Sequence, residues 1–333
     1  MKTININYSG FDKLKRHLLI FLPRINIVRS WNLILCGLGF VLKNHSAWGR
    51  PAFLKIEPSS VCNLKCLGCR QGNPSDLVDL PHGNMSLETF KEILDQTGKY
   101  LVEISFYLWG EPLLNKNLAQ MVKMASERNI ASVVSTNLHF MDEYTARTLM
   151  NAGLTRIIVA LDGMSQETYE SIRLGGDFSK AKKGLDIFAR VKIESSRKYP
   201  TIEWQFIETS ENSKEIKAAQ AHARQIGVDY FTVLVDWARR ADSQEHKSSR
   251  AKAKAKLKSR CPWLWFAAAF QWNGNMYPCC HTAKKTDSVI STKGSKNILE
   301  IWNGLEYKSA RLLFKTQDAS VKPETPCHQC PLI

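Results

Sequence analysis

The sequence predicts an α/β fold organised around a parallel sheet, and three observations carry this. Six short β-rich runs alternate with helical stretches between residues 53 and 235, which implies βαβ units with right-handed crossovers. A loop with three cysteines follows the first run directly, at the carboxyl end of a strand, where parallel α/β architectures hold their ligands. At 333 residues and 44% apolar content, the chain suffices for one main core plus a small domain, without the composition of a disordered protein.

The first 50 residues precede this pattern. In residues 11 to 22, Phe11, Leu14, Leu18, Phe21 and Leu22 recur at helical spacing with Lys13, Lys15 and Arg16 on the other side, which predicts an amphipathic helix stopped by Pro23. A second apolar run, residues 30 to 42, contains Gly37 and Gly39 and falls short of the roughly 18 to 20 apolar residues needed to span a bilayer. Two readings are open for it: an interfacial element on an anionic membrane, or a helical cap on the closed end of the main domain. Cys36 within it reads as a small buried hydrophobe. The charges that interrupt these runs, and the lack of a small-residue cleavage pattern, argue against a cleavable secretory signal and for a cytoplasmic chain, with the basic N-terminus at the inner face of a membrane.

Beyond Pro51 the predicted strands are residues 53 to 57, 103 to 107, 132 to 135, 156 to 161, 201 to 207 and 230 to 235. The helices between them are residues 86 to 96, 118 to 128, 141 to 151, 179 to 195 and 212 to 226, the last with Ile216, Ala219, Ala223 and Ile226 on one face. Residues 239 to 260 are low in complexity and strongly basic, a solvated linker or mobile lid. The domains therefore read as an extension over residues 1 to 50, a main domain over 51 to 238, the linker, and a C-terminal domain over 261 to 333. Of the net charge of +15, residues 1 to 50 and 239 to 260 supply 14, each with an excess of seven. The remaining body is near neutral, so no broad nucleic-acid footprint is indicated, and the basic segments suit an anionic surface.

Eight of the nine cysteines fall in two groups, Cys62, Cys66 and Cys69, and then Cys261, Cys279, Cys280, Cys327 and Cys330. Clustered cysteines in a cytosolic chain read as metal-binding. Three thiolates from residues 61 to 69 can serve one centre. On an iron-sulfur cubane, with one cysteine per iron, they leave one iron open; a zinc loop borrowing a fourth ligand would use the same residues.

The CxxxCxxC pattern resembles the cysteine signature of radical SAM enzymes, whose free iron chelates the amino and carboxylate groups of S-adenosyl-L-methionine. That resemblance implies a partial, six-stranded, TIM-like parallel β/α barrel, a [4Fe-4S] cluster on Cys62, Cys66 and Cys69, and reduced flavodoxin or ferredoxin as electron donor. Gly110-Glu111-Pro112 resembles the family's motif for the methionine amino group, Ser135-Thr136-Asn137 its contacts to ribose hydroxyls, and Asp162-Gly163 with Arg173 its carboxylate-holding arginine. Two positions depart from the family pattern: Gly68 stands where an aromatic is common, and Ala160 where a serine is common.

Downstream, Cys261-Pro262-Trp263, Gly274, Cys279 and the Cys327/Cys330 pair resemble the short, one-cluster form of the SPASM/Twitch domain, and residues 298 to 311 with Trp302 resemble its helix before the last cysteine pair. Cys261, Cys279, Cys327 and Cys330 would fill the four corners of a second, auxiliary [4Fe-4S] cluster, or bind a structural zinc. The implied chemistry is reductive cleavage of S-adenosylmethionine to a 5'-deoxyadenosyl radical that takes hydrogen from a substrate carbon. An auxiliary cluster accepting the remaining electron makes the enzyme an oxidoreductase, by dehydrogenation or oxidative bond formation. Cys280, spare beside a ligand, would instead serve an epimerase as hydrogen donor. A peptide maturase and a non-catalytic metal-stabilised membrane module stand as further alternatives, and the substrate as a small molecule, a lipid-linked compound or a peptide.

Overall fold

The computed structural model describes residues 5–6, 18–72, 82–235, 261–279, 297–314 and 327. Most of the amphipathic run at 11 to 22, the basic linker at 239 to 260, Cys280 and Cys330 lie outside them. In chain order come β1 (Asn5–Ile6), α1 (Ile27–Val41), β2 (Phe53–Ile56), α2 (Leu87–Thr97), β3 (Glu103–Phe106), α3 (Leu118–Glu127), β4 (Ala131–Thr136), α4 (Glu143–Asn151) and β5 (Arg156–Ala160). There follow α5 (Gln166–Glu170), α6 (Phe178–Glu194), β6 (Thr201–Glu208), α7 (Ile216–Gln225) and β7 (Tyr230–Val235). The C-terminal part adds α8 (Trp263–Phe266), β8 (Ala267–Phe270), β9 (Met276–Tyr277), α9 (Ile298–Trp302) and α10 (Leu305–Leu312).

The sheet order is β1-β7-β6-β5-β4-β3-β2-β8-β9, parallel throughout except for β9. The six expected strands are its contiguous centre, β2 to β7, with each crossover packing a helix on the outer face. That face is apolar: Leu54, Ile56, Ile104 and Phe106 meet Phe90, Ile93 and Leu94 of α2, all at most 2% exposed. Each such side chain contributes about 1.5–3 kcal/mol by burial. The helices start on capping side chains, which sets their first turn: Ser86, Asp142 and Asp177 each accept from the backbone N–H three residues on.

The sheet is curved, with a polar concave face. Arg156 of β5 pairs with Glu203 of β6 (3.6 Å) and reaches across β4 to Glu103 of β3 (3.7 Å), so the three buried charges share the face opposite the helices. Three of the described strands lie outside the expected set, the two-residue β9 pairing antiparallel with β8. β1 adds to β7, and β8 adds to the free side of β2 in register Phe53↔Ala267 to Ile56↔Phe270. The C-terminal domain is therefore built onto the barrel sheet.

The run at residues 30 to 42 lies within α1, which begins earlier because Asn26 Oδ1 caps Arg29 N (2.9 Å). It covers the amino ends of the strands. Arg29 donates to the carbonyls of Arg128 and Asn129 ahead of β4 (2.8 and 2.7 Å), Arg24 to Thr155 ahead of β5 (3.3 Å), and Phe21 packs on Phe53 at the start of β2. Cys36 is 1% exposed, as a small core residue.

Candidate active site

At the opposite, carboxyl end of the sheet, the cysteine loop after β2 is fixed from both sides. Lys65 N donates to Leu174 O (3.0 Å) and Leu67 N to Ile172 O (3.1 Å), while Glu111 N donates to Val61 O (2.8 Å). A Cβ on Gly110 would sit 2.0 Å from Ser59 O, so glycine alone lets the loop after β3 lie this close. Gly68, which departs from the family pattern, has φ +73°, a left-handed conformation that glycine adopts without strain.

Cys62, Cys66 and Cys69 are free, half-buried thiols in this loop. Two of the sulfurs already meet N–H donors. Leu64 N lies 3.4 Å and Asn137 Nδ2 3.9 Å from Cys62 Sγ, and Arg173 Nη1 lies 3.8 Å from Cys66 Sγ. Burial pushes the Cys62 thiol up to about 12 and raises Cys66, with Arg173 opposing the latter. A metal centre takes the proton's place on such sulfurs. Among the described residues no three His, Cys, Asp or Glu side chains converge to hold a single ion. A cubane binds each thiolate to a different iron, so the three need not converge, and the donor set fits one.

Glu111, 3% exposed, accepts at Oε1 from Thr136 Oγ1 (2.7 Å) and Leu113 N (3.1 Å), and at Oε2 from Asn137 N (2.9 Å). Burial raises its pKa, while these donors and Arg173 pull the other way. Asn137 Nδ2 continues to Asn63 Oδ1 (2.9 Å), inside the cysteine loop. Ser135 is half-buried at the same strand end. Asp162, fully buried, accepts from Arg173 Nε and Ile207 N, each at 2.6 Å. Burial pulls the Arg173 pKa down, but Asp162 and Cys66 outweigh it and hold the guanidinium charged. Glu111, Asn137, Asp162 and Arg173 thus gather around the cysteine loop.

In the C-terminal part, Tyr307 draws two of the other cysteines together. Burial raises its hydroxyl pKa well above the ordinary value, Arg311 opposes, and the nearby Cys279 and Cys327 thiols add to the rise. Tyr307 Oη donates to Tyr277 O (2.9 Å), two residues before Cys279. Gly274 makes the β8–β9 turn at φ +86°. Cys261 and Cys279 are half-buried and Cys327 is buried.

Glu57 was not among the predicted site residues, although a carboxylate at the end of the first strand is a visible signal. It is 1% exposed, and burial pushes its pKa up to about 7 against Arg70 and backbone donors from Trp272 and Trp109. It joins the cysteine loop, the loop after β3 and the β8–β9 turn.

Residues 56–202 match the Radical SAM superfamily, and residues 261–331 match SPASM, an iron-sulfur cluster-binding domain. The chain belongs to the radical SAM superfamily. As a radical SAM/SPASM enzyme it uses S-adenosylmethionine with a radical SAM [4Fe-4S] cluster and carries an auxiliary iron-sulfur cluster. It is 31% identical over 134 residues to a probable GTP 3',8-cyclase of Methanococcus maripaludis (40% of this chain, 43% of that one). It is 24% identical over 177 residues to an AdoMet-dependent heme synthase of Methanosarcina barkeri (52% and 50%). The chain spans half the length of these relatives or less. Among solved structures it resembles Streptococcus suis SuiB bound to S-adenosylmethionine (TM-score 0.60, 16% identity, 97% of this chain and 82% of that one). It also resembles anSMEcpe with bound AdoMet (TM-score 0.57, 17% identity, 80% and 84%). At such identities the likeness is one of fold.

Proposed function

We propose that this enzyme is an oxidoreductase: it removes a hydrogen atom from an unactivated substrate carbon and passes the remaining electron to the auxiliary centre, the substrate losing a proton as the product's new bond forms. Cys62, Cys66 and Cys69 hold the first cluster, and Cys261, Cys279, Cys327 and Cys330 hold a four-iron auxiliary cluster. Bound and reduced by flavodoxin or ferredoxin, the first cluster with S-adenosylmethionine supplies the 5'-deoxyadenosyl radical. The surrounding side chains bind and orient. Glu111 keeps acceptor capacity for the methionine ammonium, since three donors leave room on a carboxylate. Arg173, held at Nε by Asp162, offers its remaining N–H groups to the methionine carboxylate. Thr136 is committed to Glu111 and accepts from Leu138 N (3.0 Å), and Asn137 is committed to Asn63 and His139 N, so Ser135 makes the ribose contact while Gly110 and Pro112 shape the wall. We place the enzyme in the cytoplasm, peripheral to the membrane; among the described residues no helix is long and apolar enough to cross one.

The observation that supports an oxidative role is the pairing of β8 with β2. β8 runs beside β2 at about 4.8 Å and β9 turns back along β8 to Cys279, so the auxiliary cysteines are tied through one hairpin to the strand that leads into the cysteine loop, which supports electron transfer between the two centres. The test is anaerobic reconstitution followed by metal analysis and assay for 5'-deoxyadenosine. Two four-iron clusters are expected, with nucleoside formation abolished in a Cys62→Ala/Cys66→Ala/Cys69→Ala variant that keeps the second cluster. One cluster with stoichiometric zinc would remove the electron acceptor and overturn the oxidative reading. So would solvent deuterium at the product carbon.

A further inference from the structure

Helix α1 buries polar side chains and exposes apolar ones. Its inward stripe holds Arg29 and Asn32, 3% and 4% exposed, beside Cys36 and Gly39, and the two donate to the carbonyls of Arg128, Asn129 and Arg50. Its outward stripe is apolar, with Ile27, Trp31, Ile34, Leu38, Val41 and Leu42 at helical spacing, Ile27 being 85% and Trp31 61% exposed. Trp48 shares a groove with Ile27 and Trp31, and Leu18, Leu19 and Leu22 just before the helix are exposed as well. Of the exposed large apolar side chains among the described residues, ten lie between positions 18 and 48 and seven in all the rest. A face of this kind marks an interaction surface.

We propose that this face seats the closed, amino end of the barrel on an anionic lipid bilayer. The charge around it favours that occupant over a second copy of the chain. Residues 1 to 50 have an excess of seven positive charges in sequence, and Arg24, Lys43 and Arg50 among them are described at this end. The loops at the same end of the barrel present exposed Lys99, Arg197 and Lys198, with Tyr199 joined to Leu19 O (3.3 Å). Two copies meeting through this face would bring like charges together, whereas anionic headgroups neutralise them. Trp31 and Trp48 are the side chains that settle at headgroup depth. Beside the helix, a groove of about 410 Å³ between Val28, Leu35, Trp48, Arg50 and Tyr100 is apolar with one cation, the chemistry of a lipid headgroup and the start of its chain. The seating also fixes an orientation. The cysteine loop is at the far end of the strands, roughly 15–20 Å of barrel away. The mouth therefore faces the aqueous side, and the substrate's reacting carbon arrives from water. This second half rests on the active-site reading above; the docking itself does not.

The test is co-sedimentation of the full chain with phosphatidylcholine vesicles, with and without phosphatidylglycerol, across a salt series. Binding is expected only with phosphatidylglycerol, falling by roughly tenfold or more as salt screens several basic contacts worth ~1 kcal/mol each. An Ile34→Glu/Leu38→Glu variant should lose binding while forming 5'-deoxyadenosine at the parental rate. With brominated lipid in the vesicles, tryptophan emission should be quenched in the parent and unquenched in a Trp31→Phe/Trp48→Phe variant, whose remaining seven of nine tryptophans include Trp109 and Trp272 near the mouth. Equal binding to neutral vesicles, no binding at low salt, or a parental dimer that the glutamate variant dissociates would overturn the docking. Quenching in the phenylalanine variant that is lost only when Trp109 and Trp272 are also replaced would overturn the orientation.

Discussion

The Asp162–Arg173 pair is the costliest single-residue commitment near the cysteine loop. Replacing Arg173 with methionine leaves a fully buried carboxylate whose partners shrink to Ile207 N. The expected loss is about 3–5 kcal/mol in urea unfolding, with much of it restored when Asp162→Asn is added. Glu57 gives a pH signature. Its folded-state pKa is about 7, above the ~4.3 of an unfolded chain. Below ~4.3 both states hold the proton. Between the two values only the folded state does, so stability falls as pH rises through that window and the loss is complete above about 7. A Glu57→Gln variant should therefore gain Tm relative to the parent from pH 5 to pH 7.5, and an unchanged difference across that range would contradict the assignment. These roles were unequally legible. The cysteines, Glu111 and Arg173 were visible as a pattern of types at spacings, whereas the burial of Glu57 is made by Trp272 and Trp109 from distant segments, which no local window contains.

Among elements, the loop after β3 shows how a motif acts structurally before it acts chemically. Gly110→Ala puts a methyl 2.0 Å from Ser59 O and must push the loop off the cysteine loop, so reconstituted protein should retain less iron while its helical circular dichroism stays parental. The expected strands and helices coincide with those formed because apolar runs of strand length and helical stripes each had one consistent solution. β8 was illegible: Ala-Ala-Ala-Phe has weak strand propensity, and its conformation comes from the backbone of β2 alongside it. The residue 30 to 42 run was left open between a cap on the closed end and an interfacial element, and the helix it forms covers the amino ends of the strands while keeping an exposed apolar side. Its early start was missed because Asn26 caps a turn that the apolar pattern does not reach.

For the molecule as a whole, exposed large apolar side chains are segregated among the described residues, ten of seventeen lying between positions 18 and 48 at the closed end, opposite the polar site. The sheet order adds a dependence on time. β2 ends with neighbours on both sides, but one of them, β8, lies at Ala267–Phe270, more than two hundred residues downstream. At ribosomal rates of about 5–20 residues per second, the second edge of β2 waits roughly ten to forty seconds after its emergence. An unpaired edge strand is a template for pairing with another chain. A fragment ending at residue 238 should accordingly go to inclusion bodies or soluble oligomers where the full chain stays monodisperse by light scattering. A monodisperse fragment would show that β2 tolerates the bare edge. The C-terminal segment thus acts, during synthesis, as the barrel's late-arriving chaperone, and conditions that stall translation in the preceding basic stretch would lower yield without any change in the finished fold's stability.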